Sequence, residues 1–509
     1  TSIDGYDGVQ SVATAEGMVA VAVDVEDAPL PAEPMLIGEN SWQTEAVFTV
    51  GATLDNGYTP VGIMDGIGAM ELDADTVRIF VNHELGSGDG YEYEVDGITL
   101  TGARISYFDI DKDTLSIVDG GQAINAIYDA NGNLATDNSF TFESKAGFER
   151  FCSGSLFEAE MFGAGNGIVD NIYFAGEETG GNFSDVGGAE WALDADTGDI
   201  WAVPAMGRGA WENITQVDTG TTTHVAFILS DDTSPFDVDA DGINEAAPMY
   251  LYVGEKSTDA SANFLERNGL DGGKLYVWVS ATGEADPEDF NTSGSLAGSW
   301  VEVDNSQDLV LADENGANGF DEFGYPTQKN LWTQAEALGA FGFSRPEDVA
   351  TNPADGTEVV IASTGRSSDF GGADRVGTIY TMELDFADIN NPTASTTILY
   401  DGDADPAQTL RSPDNLDWAD DGHIYVQEDR AVNDLFGEGA INPNDAGVVK
   451  INPTTGDVER IATIDQTAIA PSGAVDENLF SSGQIDIGDW ESSGILDVSN
   501  LFGRDPGTL

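Results

Sequence analysis

Three stretches far apart in the chain repeat one design: "YFDIDKDTLSIV" from Tyr107, "WALDADTGDIWAV" from Trp191 and "VVKINPTTGDVERI" from Val448. In each, a β-rich run enters a turn built on Asp or Asn, often closed by Gly, and a second run leaves it. Asp and Asn side chains cap such turns through their own backbone, and Gly supplies left-handed torsions. Between these units come further short apolar runs, among them "VRIFVNHE", "NIYFAGEE", "MYLYVGEK", "KLYVWVS", "EVVIAST", "GTIYTMEL" and "HIYVQED". Helical periodicity is scarce. A hairpin unit restated over hundreds of residues predicts an all-β protein, a β-propeller of about six blades.

Several of the apolar runs stop at an acid: Glu84, the Glu177–Glu178 pair, Glu255, and Glu428 with Asp429. Equivalent strand ends of a propeller converge on one mouth of the central channel, so acids distant in sequence are expected to meet there. Crowded carboxylates repel unless protonated or neutralised by metal.

Charge narrows the partners. The chain has 92 Asp+Glu against 18 Lys+Arg, a formal net charge of -74. Such a surface repels nucleic-acid phosphates and anionic membranes. It suits a saline medium, where self-repulsion is screened, and it offers oxygen ligands for hard cations. No apolar run is long enough for a membrane-spanning helix. The opening "TSIDGYDGVQ" reads as a mature end, and the acidity favours a secreted or periplasmic protein. Residues 1–45, with "GMVAVAVDVEDAPLPAEP", read as an N-terminal extension or strap ahead of one propeller domain, 46–509.

Cys152 in "ERFCSG" is the single cysteine, so no disulfide forms within the chain. A lone cysteine is either a small buried hydrophobe or a soft metal ligand. "FDVDADGINEAAP" spaces Asp237, Asp239 and Asp241 as in the first half of a calcium loop, with Gly242 at the tight turn. Pro248 stands where an EF-hand needs its bidentate Glu, so a structural calcium loop of another kind is expected. In "FSRPEDV", Arg345 and Glu347 are two residues apart around Pro346, a spacing that puts both on one strand face. A guanidinium there suits an anion held bidentately, and its neighbour carboxylate suits a metal. "SPDNLDWADD" adds Asp414 and Asn415. Three histidines (His83, His224, His423) are too few for a zinc site, and no nucleophile elbow or Walker loop is present.

In their order, "VGIMDGIGAM…VRIFVNHE", "RFCSG", "IYFAGEE", "GRGAWEN", "YVGE", "LYVWVSATG", "FSRPEDV" and "SPDNLDWADDGHIYVQED" resemble PhoX-type alkaline phosphatases over residues 58–430, with an echo at "DWESSGILDV". The resemblance implies a propeller carrying Fe3+ and Ca2+ at the channel mouth that hydrolyses small phosphate monoesters, as a monomer. It makes Cys152 an iron ligand, and Glu84, Glu178, Glu255, Glu347, Glu428, Asp429 and Glu491 metal-binding carboxylates. Glu212 is a further, weaker match. Arg345 would clamp the phosphate, with Cys152 and Glu347 beside it in the catalytic centre. Two readings share the same features: a calcium-dependent lactonase-like propeller hydrolase, which needs neither Cys152 nor Arg345, and a non-catalytic calcium-stabilised extracellular protein.

Overall fold

The computed structural model describes residues 9–14, 34–50, 53–141, 145–179, 183–366, 369–465 and 492–509. α-Helix is confined there to Phe264–Asn268, Gln328–Leu338 and Ser499–Phe502. Most of the strands are antiparallel and form five propeller blades among the described residues, joined by turns and loops.

From the channel outwards, blade 1 is Met64–Glu71, Thr76–His83, Arg104–Asp111 and Ile117–Gln122. Blade 2 is Phe151–Phe157, Ile172–Glu177, Glu190–Asp194 and Asp199–Ala202, with Ala126–Tyr128 added in parallel at its edge. Blade 3 is Trp211–Val217, His224–Asp231, Tyr250–Glu255 and Lys274–Ser280. Blade 4 is Pro346–Thr351, Glu358–Ser363, Thr378–Asp385 and Thr393–Asp401, and the long strand Gly294–Val303 joins it to blade 3 edge to edge. Blade 5 is Pro413–Trp418, Ile424–Glu428, Gly447–Ile451 and Val458–Ile464, edged by Leu36–Gly38.

The expected hairpin chemistry recurs in the outer turns. Asp194 Oδ1 accepts from the amides of Asp196 (3.0 Å) and Thr197 (3.3 Å), and Asn452 Oδ1 from those of Thr454 (2.9 Å) and Thr455 (3.1 Å). Gly198 and Gly456 close these turns at φ 77 and 70; Leu115 takes that role at φ 57 after Asp111. The first strand of each blade packs on the first strand of the next, from blade 1 through blade 5. Interlocking apolar faces fill the space between blades: Phe148, Phe151, Tyr173 and Trp191 in one layer, Phe174, Trp211, Phe227 and Tyr250 in the next.

Between blades 5 and 1 the wedge is held by Gln43–Thr49 and the C-terminal segment. Leu509 packs with Trp42, Tyr425 and Ile461, and the Asp497 amide donates to Asp417 Oδ2 (2.7 Å). An apolar cavity of about 260 Å³, lined by Phe48, Ile67, Phe108 and Val448, remains beside it.

Blade 5 is fastened from within by a charge triad. Glu428, fully buried, accepts from Arg411 Nε (3.0 Å) and Nη2 (3.0 Å) and from Arg460 Nη2 (2.6 Å). The expectation of Glu428 as a metal ligand is therefore corrected: each of its oxygens already accepts two hydrogen bonds, Oε1 from the Arg411 amide and Nε, and Oε2 from Arg411 Nη2 and Arg460 Nη2. Removing one member of such a buried group strands the others without water or counter-charge. Glu428→Gln is expected to cost about 3–5 kcal/mol, measured as a fall in the denaturation midpoint, while the metal content of the folded fraction stays unchanged.

Candidate metal centre

All five inner strands carry a bulge at one place. Pairing runs Met64↔His83 then Ile67↔Val81; Phe151↔Glu177 then Gly154↔Ala175; Trp211↔Asp231 then Ile214↔Leu229; Pro346↔Ser363 then Val349↔Ile361; and Pro413↔Glu428 then Leu416↔Val426. Each inner strand advances three residues while its partner retreats two, so one extra residue is inserted and the local side chains are re-aimed. The first residue inside each bulge is Asp65, Cys152, Glu212, Glu347 or Asp414.

A second position repeats as well. The residue just past each second strand donates its amide to the carbonyl just before the inner strand: Glu84 to Ile63 (2.9 Å), Glu178 to Arg150 (2.9 Å), Asp232 to Ala210 (2.8 Å), Thr364 to Arg345 (3.0 Å) and Asp429 to Ser412 (3.0 Å). Two side chains per blade thus converge on the channel mouth, and four of the five second positions are acidic.

The other bulge residues tie the blades together. Asn213 Nδ2 donates to Asp348 Oδ1, whose Oδ2 takes the Leu416 amide (2.8 Å), and Ser153 Oγ donates to Asn415 Oδ1 (2.6 Å). Burial pushes Asp348 up to about 8.

The converging oxygens and sulfur form overlapping groups. Asp65, Glu84 and Cys152 bring one ligand atom each within 4.8 Å of one another; so do Cys152, Glu178 and Glu212, and so do Glu212, Asp232 and Glu347. The thiol and Glu347 are thus joined through Glu212. Asp414 and Asp429 lie close enough to act electrostatically on the ring. Two arginines face it, both held in the left-handed region, Arg150 at φ 36 and Arg345 at φ 57. Arg150 Nη2 bonds Glu84 (2.5 Å) and Glu178. Arg345 Nε and Nη2 bond both oxygens of Asp232 (2.8 and 2.7 Å), and Nη2 also reaches Glu347 (2.8 Å).

Two guanidiniums cannot balance this set. Burial, then neighbouring charge, raises Asp65 to about 6, and burial raises Glu84 to about 8. Burial also pushes Glu212, Glu347, Asp414 and the Cys152 thiol well above their usual values. Without cations the ring must hold protons, and the thiol donates to Asp65 Oδ2 (3.1 Å). Asp65 Oδ1, buried, finds no hydrogen-bond partner among the described residues. A soft sulfur among hard oxygens, with carboxylates too crowded to ionise alone, is a donor set that fits a transition metal beside calcium-type ions.

Other expected site residues lie elsewhere. Glu255 is exposed and pairs with His224 at the far end of blade 3. A third strand starts at the ring and runs away from it, so its terminal acid cannot face the channel; the expectation is corrected. Glu428 precedes Asp429 by one residue and points into the blade. Glu177 takes the amides of Glu149 (3.0 Å) and Ala189 (3.2 Å). Asp237, Asp239 and Asp241 gather on an exposed loop beyond Asp232, apart from the ring. Glu491 lies outside the described residues, although "WES" at 490–492 repeats the bulge pattern of "WEN" at 211–213. Sequence reasoning missed Asp65 and Asp232. The repeated pattern of a Pro or large apolar residue, an acid, a small or polar residue and an apolar residue would have found Asp65.

The model of the family described as alkaline phosphatase PhoX matches residues 198–470, more than half of the 509 residues. The chain belongs to that family. It is a metal-dependent phosphomonoester hydrolase with a β-propeller-like fold. Among solved structures it is similar to Pseudomonas fluorescens PhoX in complex with vanadate, a transition state analogue, at 16% identity and TM-score 0.51 over 79% of each chain. The intramolecular trans-sialidase of Ruminococcus gnavus, at 10% identity over 72% of this chain and 90% of that one, has a TM-score of 0.19 and informs neither fold nor function. No curated protein matches.

The raised carboxylates set a pH dependence for metal-free protein. Unfolded Asp and Glu lose their protons near pH 4, whereas folded Asp65 and Glu84 keep theirs to about 6 and 8. Because the folded form binds more protons in that window, stability falls as pH rises from about 4 towards 8. Thermal melts of chelated protein should lose roughly 5–10 °C between pH 5 and 8, and resupplied metal cations should restore most of the loss. A midpoint that rises over that window would contradict the protonated ring.

Proposed function

We propose that this PhoX-family chain hydrolyses small phosphate monoesters with Fe3+ and Ca2+ held by the bulge ring. Cys152 with Asp65, Glu84, Glu178 and Glu212 would hold iron. Glu347, Asp232, Asp414 and Asp429 would take calcium, with Glu491 from the same sequence pattern. The observation that carries this reading is the ring itself: a solitary thiol within 4.8 Å of carboxylates from three blades. The family match begins at residue 198, so for Cys152 the support is geometric.

Once bound, the cations supply the charge that offsets the ring's carboxylates and the Lewis acidity that polarises phosphate and water. The chain's own groups do the positioning. Asp232 grips Arg345 through both oxygens and fixes the guanidinium plane, leaving Nη1 for a non-bridging phosphate oxygen. Thr364 Oγ1 lies within hydrogen-bond distance of Glu347 Oε1 (2.8 Å) and of the Pro413 carbonyl (2.6 Å), which holds that carboxyl group in place. Arg150, pinned between Glu84 and Glu178, balances part of the charge around the thiol. A lactonase-like site has no use for Cys152 or Arg345, and both stand in the ring.

The domain reading that goes with this is one catalytic propeller, 46–509, and a strap, 1–45; Leu36–Gly38 lying along blade 5 supports the strap. The segment 17–33 lies outside the described residues. No helix among the described residues is long and apolar enough to cross a membrane, and the net charge of -74 suits secretion into a saline medium.

Chelation should abolish hydrolysis of p-nitrophenyl phosphate, with calcium restoring at least part of it. Arg345→Gln should lower kcat/KM by about 100-fold or more with metals still bound. Full activity in excess chelator, or an unaffected Arg345→Gln enzyme, would refute the reading.

A further inference from the structure

We propose that Arg366 is the substrate-positioning cation of this enzyme, a guanidinium at the rim of the ring that captures the phosphate dianion as it enters. The inference rests on the phosphatase reading above. Arg366 stands two residues beyond Thr364, the hydroxyl that holds Glu347. Gly365 between them donates its amide to the Ser344 carbonyl (3.1 Å), beside Arg345, and the Arg366 amide is fixed on the Asp374 carbonyl (3.0 Å). From blade 4 its side chain crosses to blade 3, where Nη1 donates to Ser234 Oγ. Ser234 in turn lies two residues past Asp232, the acid that grips Arg345. Arg366 therefore spans the same pair of blades as the Arg345–Asp232 contact, one step further out along both chains.

The charge balance distinguishes it from its neighbours. Arg150 is neutralised by Glu84 and Glu178, and Arg345 by Asp232 and Glu347. Among the described residues Arg366 has a neutral hydroxyl as side-chain partner and no carboxylate. A guanidinium carries five donor hydrogens in a planar fork, and the bond to Ser234, the one it makes from its side chain among the described residues, leaves others for phosphate oxygens. In a chain of net charge -74, a substrate dianion meets repulsion from almost every direction. A cation at the rim with no carboxylate partner among the described residues is where attraction wins, acting over about a Debye length of 10 Å in 0.1 M salt. It acts on the substrate before chemistry and in the ground state, so its loss should appear in KM more than in kcat.

The test uses full-length, metal-loaded protein and p-nitrophenyl phosphate, with inorganic phosphate as a competitive inhibitor. Arg366→Gln removes the charge and keeps a donor for Ser234; Arg366→Lys keeps the charge; Ser234→Ala removes the tether alone. Arg366→Gln should raise KM and the inhibition constant for phosphate together, each by about tenfold, with kcat within about twofold. Arg366→Lys should recover most of that loss, and the gap between wild type and Arg366→Gln should narrow as salt rises to about 1 M. An active wild type with KM and phosphate inhibition unchanged in Arg366→Gln overturns the proposal and leaves the phosphatase reading intact. So does a Lys variant as impaired as the Gln variant, with Ser234→Ala matching both, since the bond would then be a tether between blades. A wild type inactive on phosphate monoesters, despite a full metal complement, overturns the phosphatase reading itself.

Discussion

Electrostatic crowding at the channel mouth is the constraint on which the rest of the structure depends. Folding brings Asp65, Glu84, Cys152, Glu178, Glu212, Asp232 and Glu347 into overlapping groups within 4.8 Å, and two arginines answer them. The pKa of every carboxyl that burial dominates there is pushed up. A protein gains nothing in stability from assembling such a set; carboxylates removed from water and set against each other destabilise the folded state. The cost is offset when cations enter, so the stability that the ring forfeits in the metal-free chain returns as affinity for metal.

The propeller makes the crowding possible by repetition. Each blade delivers the residue inside an inner-strand bulge and the residue just past the second strand, and one backbone hydrogen bond closes the pair in all five blades. The bulge re-aims a side chain that would otherwise follow the sheet's alternation. The polar residue after it locks the inner strands to one another, as Asn213 does to Asp348 and Ser153 to Asn415. Variation within the repeat carries the chemistry: cysteine in blade 2, threonine at the second position of blade 4, arginine ahead of blades 2 and 4. The Arg411–Glu428–Arg460 triad shows the same ingredients used for cohesion, with the charges paired inside the chain.

The hairpins were readable because Asp194, Asn452 and Asp111 cap their turns as local chemistry requires, and short alternating runs have few other folds open to them. Blade number was less readable, since Gln43–Thr49 and the segment from Ser492 occupy a wedge without hairpin pattern in the described residues. Within the site, Glu84, Cys152, Glu178, Glu347 and Asp429 were named from the sequence and stand around the mouth. Glu255 and Glu428 were misplaced for geometric reasons. Strand direction decides which end of a blade an acid occupies, and a one-residue offset decides which face it takes. Asp65 escaped notice because a bulge is invisible to a period-two reading, and Asp232 because it follows directly on Asp231, the acid that ends its strand.

X-ray absorption at the iron edge, on purified protein and on Cys152→Ser, tests the central claim most directly. The account predicts iron in the native protein with sulfur among its oxygen neighbours, and loss of the sulfur scatterer or of the iron itself in the variant. Iron absent from the native protein, or an all-oxygen shell identical in both, would contradict it.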